Sequence, residues 1–522
     1  MAASKSQKSS NDELAAVLPE TTWWKSPQLR QLNLCLFTLT LFSSSNGYDG
    51  SLVNGLQALD SWVEFMEYPS STWLGFINGM YWVGALVSQP IAAWSCNKFG
   101  RRPCIWVGIV LLVVGGILGA VAPTATVFIV SRVVIGLSSG WVSNAAPLLM
   151  NEIAYPAHRS ISSAMFMVGY YGGAVISSWV TFDTRTYSSS WAWRLPTLLQ
   201  ILLPLVAIPG FIFTPESPRW LIGKDRVEDA RKVLADLHAG GDLNAPLIAY
   251  EVHEIQGAIT AEKEATSSAS YLDMVKTPGN RHRLLITVSL GIFSQWAGNG
   301  VVSYYLTMVL DTVGVTQTKD QLLISGCLQI WNLLFAAIGA VAVERAGRRA
   351  LFMTSAGIML ASYITITGLS GSFAQTGSAP TGTAVIPFIF IYFAGYDIAL
   401  TPLLTAYPCE IWPFALRSRG VSVVWLSAIG ALIFNTFVNP VALSAIGWKY
   451  YFVFVAVLIC YAITAYFFYP ETKGYSLERM ALIFDGDDAA LPSGMEVFEK
   501  SGDAHDDNDD EKGVDTVEVE RV

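Results

Sequence analysis

The sequence predicts an all-α membrane protein, with twelve spanning helices built as two six-helix repeats. Three observations carry that reading. Charged residues make up 14% of the 522-residue chain and apolar ones 52%, whereas soluble domains carry roughly a quarter charged residues. Twelve windows of mostly apolar residues recur, each near the ~20 residues that cross a bilayer, and none alternates with period two, so they read as helices and not barrel strands. Finally, three motifs recur in the same order in both halves of the chain.

In chain order the windows cover about 32–52, 72–95, 103–122, 125–148, 161–181 and 194–214, then 284–310, 322–343, 350–370, 385–408, 421–444 and 449–469. Residues 1–30 are polar and lack the apolar core of a cleavable signal peptide, so the first window is expected to target the chain. Between the sixth and seventh windows, residues 215–283 hold 20 charged residues in 69, and DRVEDARKVLADLHAGG shows helical periodicity with a Gly-Gly stop. The expected plan is a cytosolic segment 1–30, a bundle 31–214, a cytosolic helical linker 215–283, a bundle 284–470 and an acidic tail 471–522. That tail ends in a like-charge run without apolar periodicity, reads as solvated and disordered, and supplies most of the net charge of −9.

Orientation follows from Lys and Arg. Alternate short connections carry Lys98, Arg101, Arg102, Arg159, Arg345, Arg348, Arg349, Arg417 and Arg419, against Arg185, Lys319, Lys449 and the span-edge Arg194 on the other side. The basic side, and with it both termini, is expected in the cytosol.

The six cysteines (35, 96, 104, 327, 409, 460) form no CxxC pair and read as small core residues, and the five histidines lack metal-ligand spacing. There is no phosphate-cradling lysine loop and no strand with a glycine-rich dinucleotide turn. The expectation is a chain that is not an enzyme, holds no metal or cofactor, and has lipid rather than nucleic acid around it.

The two halves echo each other. NKFGRR (97–102) matches ERAGRR (344–349), NEIAYPAHR (151–159) matches CEIWPFALR (409–417), and PESPR (215–219) matches PETKG (470–474), at offsets of 247, 258 and 255. Three ordered matches at a nearly constant offset mean a duplicated six-span unit. Such repeats place a transporter's substrate site at their interface, near the midplane.

Together with WRLPTLLQ (193–200), PESPRWL (215–221), QWAGNGVVSYY (295–305) and PETKGYSLE (470–478), these motifs resemble the sugar porter family of the major facilitator superfamily over residues 30–480, and fungal lactose and hexose permeases within it. The resemblance implies the major facilitator fold, a plasma-membrane carrier acting as a monomer, and sugar import by alternating access, with protons as the coupling ion. A facilitator or exporter of a sugar-like metabolite is the alternative within transport. A nontransporting sugar sensor is a third reading, set back by a tail of only 48 residues after Gly474.

Asp49, in LFSSSNGYDGSLVNG (41–55), is an acid at bilayer depth, where insertion costs about 2.5–3.5 kcal/mol. Arg132 in SRVVIGLSSG is its natural partner, and Gly136, Ser138, Ser139 and Gly140 on the same window permit close helix packing. The resemblance implies that protonation of Asp49 releases Arg132 to favour the outward-facing state, and that deprotonation restores the pair. A permanent structural pair is the alternative.

A sugar site needs hydroxyl-matching polar groups beside aromatic rings. Gln295, Asn299, Tyr304 and Tyr305 fit, because 295, 299 and 302–306 trace one helical face. Asn332, Asn435 and Asp397 add amides and a second acid, while Asn439 beside Pro440 reads as structural. Asp397 is either a sugar contact, a Thr- or Tyr-bonded structural acid, or a rival proton site. Where the family has polar residues in the fifth span and a tryptophan in the tenth, this chain has Met167, Val168 and Thr405. That implies a larger or less tightly held substrate, with Trp296 and Trp425 as replacement stacking surfaces or lipid-facing rings.

The last expected group is a cytosolic gate of Arg101, Arg102, Glu152, Arg159, Glu216, Arg219, Glu344, Arg348, Arg349, Glu410, Arg417 and Glu471. The resemblance implies ion pairs between the halves that break at every cycle; solvated anchors are the plain alternative. Asn97 stands where the family usually has Asp.

Overall fold

The computed structural model describes residues 24, 26–156, 159–268, 270–473 and 483–484. The acidic tail beyond them and the first 23 residues lie outside the description. Among the described residues every long element is a helix. Span 1 is Pro27–Leu56, span 2 Ser71–Phe99, span 3 Arg101–Ala120, span 4 Ala125–Ile153 and span 5 Arg159–Thr184. Span 6 comes in two pieces, Trp191–Leu199 and Leu202–Phe213, as does span 7, Pro278–Trp296 and Asn299–Asp311. Spans 8 to 12 are Thr318–Ala346, Arg348–Thr376, Val385–Ile411, Phe414–Ile446 and Tyr451–Phe468.

Among the described residues, eight stretches are long and apolar enough to cross a membrane, and two of the twelve spans share the last of them, Leu416–Phe468. Spans 1, 2 and 5 are the ones left out, because they are seeded with hydroxyls, amides and an acid. That polarity faces inward: Thr38, Ser43, Ser44, Ser45, Asp49 and Asn54 of span 1 are all buried. Large apolar side chains such as Phe213, Leu426 and Phe467 are instead exposed around the perimeter, where lipid tails would cover them. Cys35, Cys96 and Cys104 are core residues as expected, but Cys327 and Cys460 face outward.

Helix ends follow local chemistry. Pro27 and Pro278 sit in the first turns of spans 1 and 7, and Ser70, Thr124 and Thr277 cap spans 2, 4 and 7 by accepting from the N–H three residues on. The windows read spans 6 and 7 as continuous; both are broken. In span 6, Pro204 cannot donate to the carbonyl of Gln200, and the helix parts there.

Packing repeats between the halves as the motifs do. Span 1 packs on span 5, 2 on 4, and 3 on 4; span 7 packs on 11, 8 on 10, and 9 on 10. The first of these crossings is at backbone contact, since a Cβ on Gly47 would lie 1.7 Å from the Tyr170 carbonyl oxygen and one on Gly173 1.7 Å from that of Ser44. The halves meet along two equivalent seams, span 5 against span 8 and span 11 against span 2.

Residues 215–283 hold helices Pro218–Gly223, Val227–His238, Pro246–Ser268 and Asp273–Lys276. His238 fastens them to span 4: its Nδ1 lies 2.8 Å from Glu251 Oε2 and its Nε2 3.1 Å from the carbonyl oxygen of Ile153. The helix Pro246–Ser268 also touches span 11. The linker therefore contacts both halves at the end of the bundle that carries the Gly-Arg-Arg turns, called below the basic end.

Candidate functional site

Span 7 organises the middle of the molecule. Gly298 has φ +108°, a value that suits glycine, and a Cβ there would meet the Tyr363 hydroxyl at 2.3 Å. The break frees backbone carbonyls at bilayer depth, where each needs a partner. Three tyrosines supply them. Tyr363 donates to Gly298 O (2.8 Å), Tyr392 to Ala297 O (3.1 Å) and Tyr396 to Ser294 O (2.8 Å). The face expected to run through 295, 299 and 302–306 is therefore not continuous.

A second irregularity follows at Tyr305 (φ −139°, ψ 33°). The groups it releases are taken up by the other half. Asn54 of span 1 accepts from Leu306 N (3.1 Å), and Gln57 just beyond span 1 donates to Tyr304 O (3.0 Å). Nearby, Gly75 of span 2 lies against the backbone of Thr436 and Phe437, and Trp82 meets the ring of Tyr304 edge-on. These contacts close the halves on each other at the end away from the basic turns.

Gln295 and Tyr304 stay partly exposed within this framework. Asn299 donates to the Tyr396 hydroxyl (3.2 Å), and Asn435 to Gln295 O (2.5 Å). Gln295, Asn299, Asn435 and Tyr304 thus gather beside Tyr396 as a polar, aromatic-flanked group. Tyr305 leaves it: fully buried, it donates to Thr436 O at 2.6 Å and serves the wall. Asn332 is buried on span 8 with its Oδ1 unpartnered. Asn439 accepts from Tyr450, a packing role. Trp425 is exposed and faces outward, whereas Trp296 is half-buried, donates to Ala431 O and packs on the exposed Phe434.

Both intramembrane acids are buried here. Asp49 lies within electrostatic reach of Arg132, Tyr81 and Tyr170. The expected contact pair is absent in this conformation: the Arg132 guanidinium sits 4.9 Å over the Tyr81 ring, and Asp49 Oδ1 has no hydrogen-bond partner. Asp397 Oδ1 accepts from Tyr171 (2.6 Å) and from Thr401 (2.8 Å), while its Oδ2 is unpartnered. Tyr171, Asn54 and Gln57 escaped the sequence reading. The only signal was polarity inside or at the edge of an apolar window, and nothing local says which neighbour such a group will meet.

At the basic end the charges form two matching clasps. Arg101 is bidentate to Glu152 (2.9 Å each), and Glu216 accepts from the backbone N–H groups of Arg101, Arg102 and Ser217. In the second half Arg348 clasps Glu410 (2.8 Å), and Glu471 accepts from the N–H groups of Arg348, Arg349, Thr472 and Lys473. Burial opposes ionisation of Glu471, but these donors outweigh it and hold its carboxyl below the usual value. Arg102 and Arg349 donate to Ile212 O and Tyr466 O. In this conformation, closed at the other end, none of these clasps joins the halves as the expected gate pairs would: Arg101 and Arg348 hold carboxylates of spans 4 and 10, and Glu216 and Glu471 cap spans 3 and 9 of their own bundles. Arg219 and Arg417 lie at the same end, each engaged by neighbours; the side chains of Arg159 and Glu344 are outside the described residues.

The sequence model described as "Sugar (and other) transporter" matches residues 35–484. Among curated relatives, the chain is 27% identical to the MFS-type transporter oryC of Aspergillus oryzae, over 85% of this chain and 83% of that one. It is 26% identical to the MFS glucose transporter mfs1 of Aspergillus flavus (90% and 92%) and 24% to the high-affinity glucose transporter of Kluyveromyces lactis (88% and 86%). Among solved structures, the inward-open xylose transporter XylE of E. coli superposes with a TM-score of 0.72 at 21% identity, covering 87% of this chain and all of that one. The proton:xylose symporter XylE bound to 6-bromo-6-deoxy-D-glucose gives 0.69, with 87% and 99% covered. With its two six-span repeats, its broken seventh span and its paired arginine clasps, this chain belongs to the sugar (and other) transporter family of the major facilitator superfamily.

Proposed function

We propose that this protein carries a sugar across the plasma membrane, with both termini in the cytosol, as a monomer coupled to protons. One observation carries the reading most: uncharged amides and tyrosines (Gln295, Asn299, Asn435, Tyr304, Tyr396) gather in the second bundle at the break in span 7, with Tyr304 against Trp82 of the first. Amide and phenol groups exchange hydrogen bonds with hydroxyls without demanding charge from the ligand. Relatives named as glucose transporters and a neighbour named as a proton:xylose symporter support the same class.

Proton coupling rests on Asp49. The acid is buried, its Oδ1 is unpartnered, and Arg132 stands off over Tyr81. In our reading this is the carrier closed to the outside and still holding its proton, before Arg132 recaptures the carboxylate. Asp397 Oδ2 is the C-terminal half's open acceptor for a substrate hydroxyl.

The test is uptake of radiolabelled glucose, galactose, xylose, lactose and cellobiose in yeast stripped of its own hexose carriers, with and without an uncoupler. We expect accumulation of at least one sugar that the uncoupler abolishes. Equilibration unaffected by the uncoupler makes the protein a facilitator, and no flux of any of them removes the sugar reading.

A further inference from the structure

Consecutive tyrosines on span 5 face the two intramembrane acids, one in each half. Tyr170 belongs to the Asp49 environment: its carbonyl packs on Gly47 and its hydroxyl lies against Gly50, beside the acid. Tyr171 points the other way and donates to Asp397 Oδ1 at 2.6 Å, across the boundary between the halves. The two rings meet edge-on, 5.6 Å apart and at 88°. Asp397 is itself held at the seam, because its carbonyl oxygen packs against Gly339 of span 8, the helix that lies along span 5.

A phenol-to-carboxylate hydrogen bond inside the bilayer is short and has no water competing for it. It spans surfaces that must shift when the halves rock. We propose that Tyr171 is a positioning residue: through Asp397 it pins the halves in the conformation closed at the end away from the basic turns, and every turnover breaks and remakes this bond. The inference rests on the alternating-access reading above, but not on which substrate is carried. It also gives span 5 a part in coupling, since its consecutive, touching rings reach one acid in each half.

The experiment reads the ratio of conformations directly. Spin labels at Ser70→Cys and Ser444→Cys, both exposed at the non-basic ends of spans 2 and 11, report opening there by pulsed electron resonance. They are placed in purified full-length protein with the outward-facing Cys327 and Cys460 and the half-buried Cys409 changed to serine. Leaving one partner of a buried hydrogen bond unsatisfied, at about 1–3 kcal/mol, moves such a ratio by roughly 10-fold. Tyr171→Phe is therefore expected to raise the long-distance, open population about 10-fold. Asp397→Asn, whose amide oxygen still accepts from Tyr171, should stay near the parent distribution. Tyr171→Phe added to Asp397→Ala should change nothing further, because the bond is already gone.

A merely structural tyrosine would lower thermal stability without moving the ratio, and a Tyr171→Phe distribution identical to the parent overturns the proposal. A Tyr171→Phe shift of equal size in the parent and in the Asp397→Ala protein overturns it too. Because the measurement needs no sugar, a Tyr171-dependent shift alongside absent sugar flux would keep the pin and discard the substrate.

Discussion

Closure at the non-basic end depends on two amides that reach from span 1 into the backbone of span 7, and removing them gives a sharp prediction. Asn54 accepts from Leu306 N and Gln57 donates to Tyr304 O, groups that the Tyr305 irregularity takes out of the helix ladder. Changing both residues to alanine leaves the buried Leu306 N–H and the half-buried Tyr304 carbonyl unpaired, at about 1–3 kcal/mol each. In the open conformation water reaches both groups, so the loss falls on the closed state alone. Taking the lower end for each gives about 2 kcal/mol, or roughly a 30-fold shift toward the open state. The distance between labels at positions 70 and 444 measures it, with each single substitution giving part of the change. A doubly substituted protein with the parent distance distribution would refute the claim that these amides hold the closure.

Other outcomes follow from the same geometry. Asp49→Asn should abolish uncoupler-sensitive accumulation while leaving sugar exchange measurable; unchanged accumulation would take the coupling role away from Asp49. Gly298→Ala must place a Cβ 2.3 Å from the Tyr363 hydroxyl at φ +108°; left-handed strain of about 1–2 kcal/mol plus overpacking of about 1–3 kcal/mol should lower the melting temperature by several degrees in detergent, whereas Gly368→Ala, with open space around it, should not. Glu471→Gln removes the charged cap of span 9 and should cost about 1 kcal/mol of stability at neutral pH, read as a lower melting temperature. Because the folded carboxyl of Glu471 titrates below its ordinary value of 4.5, its stabilisation is complete above that value and fades as pH falls through the lowered one. The difference between parent and Glu471→Gln should therefore shrink on acidification and stay flat between pH 6 and 8.

The duplicated plan was legible in the sequence because it is written in strong local signals. Twenty-residue apolar runs, Gly-Arg-Arg turns and paired Pro-Glu motifs need no knowledge of neighbours. Most of the polar cluster was legible for a related reason: Gln295, Asn299 and Asn435 are costly at bilayer depth, so their presence alone marks them. Partners were not legible. Arg101 reads as facing either half, and only the path of span 6 brings Glu216 beneath its backbone N–H to fix the clasp within one bundle. Tyr305 looks as good a sugar contact as Tyr304 until the irregularity turns its hydroxyl into Thr436 O. The breaks in spans 6 and 7 were hidden because apolar windows count composition, whereas Pro204 and the left-handed Gly298 act through single hydrogen bonds and torsions.

Carriage requires a central polar cluster that solvent reaches from one face at a time. Gln295→Cys, in protein lacking Cys327, Cys460 and the half-buried Cys409 and reconstituted in vesicles of known orientation, measures this with membrane-impermeant thiol reagents. We expect reaction from the basic side in the parent, and a gain of reaction from the opposite side once Asn54 and Gln57 are replaced. A cysteine at 295 that neither solution ever reaches, in either background, would contradict carriage through this cluster.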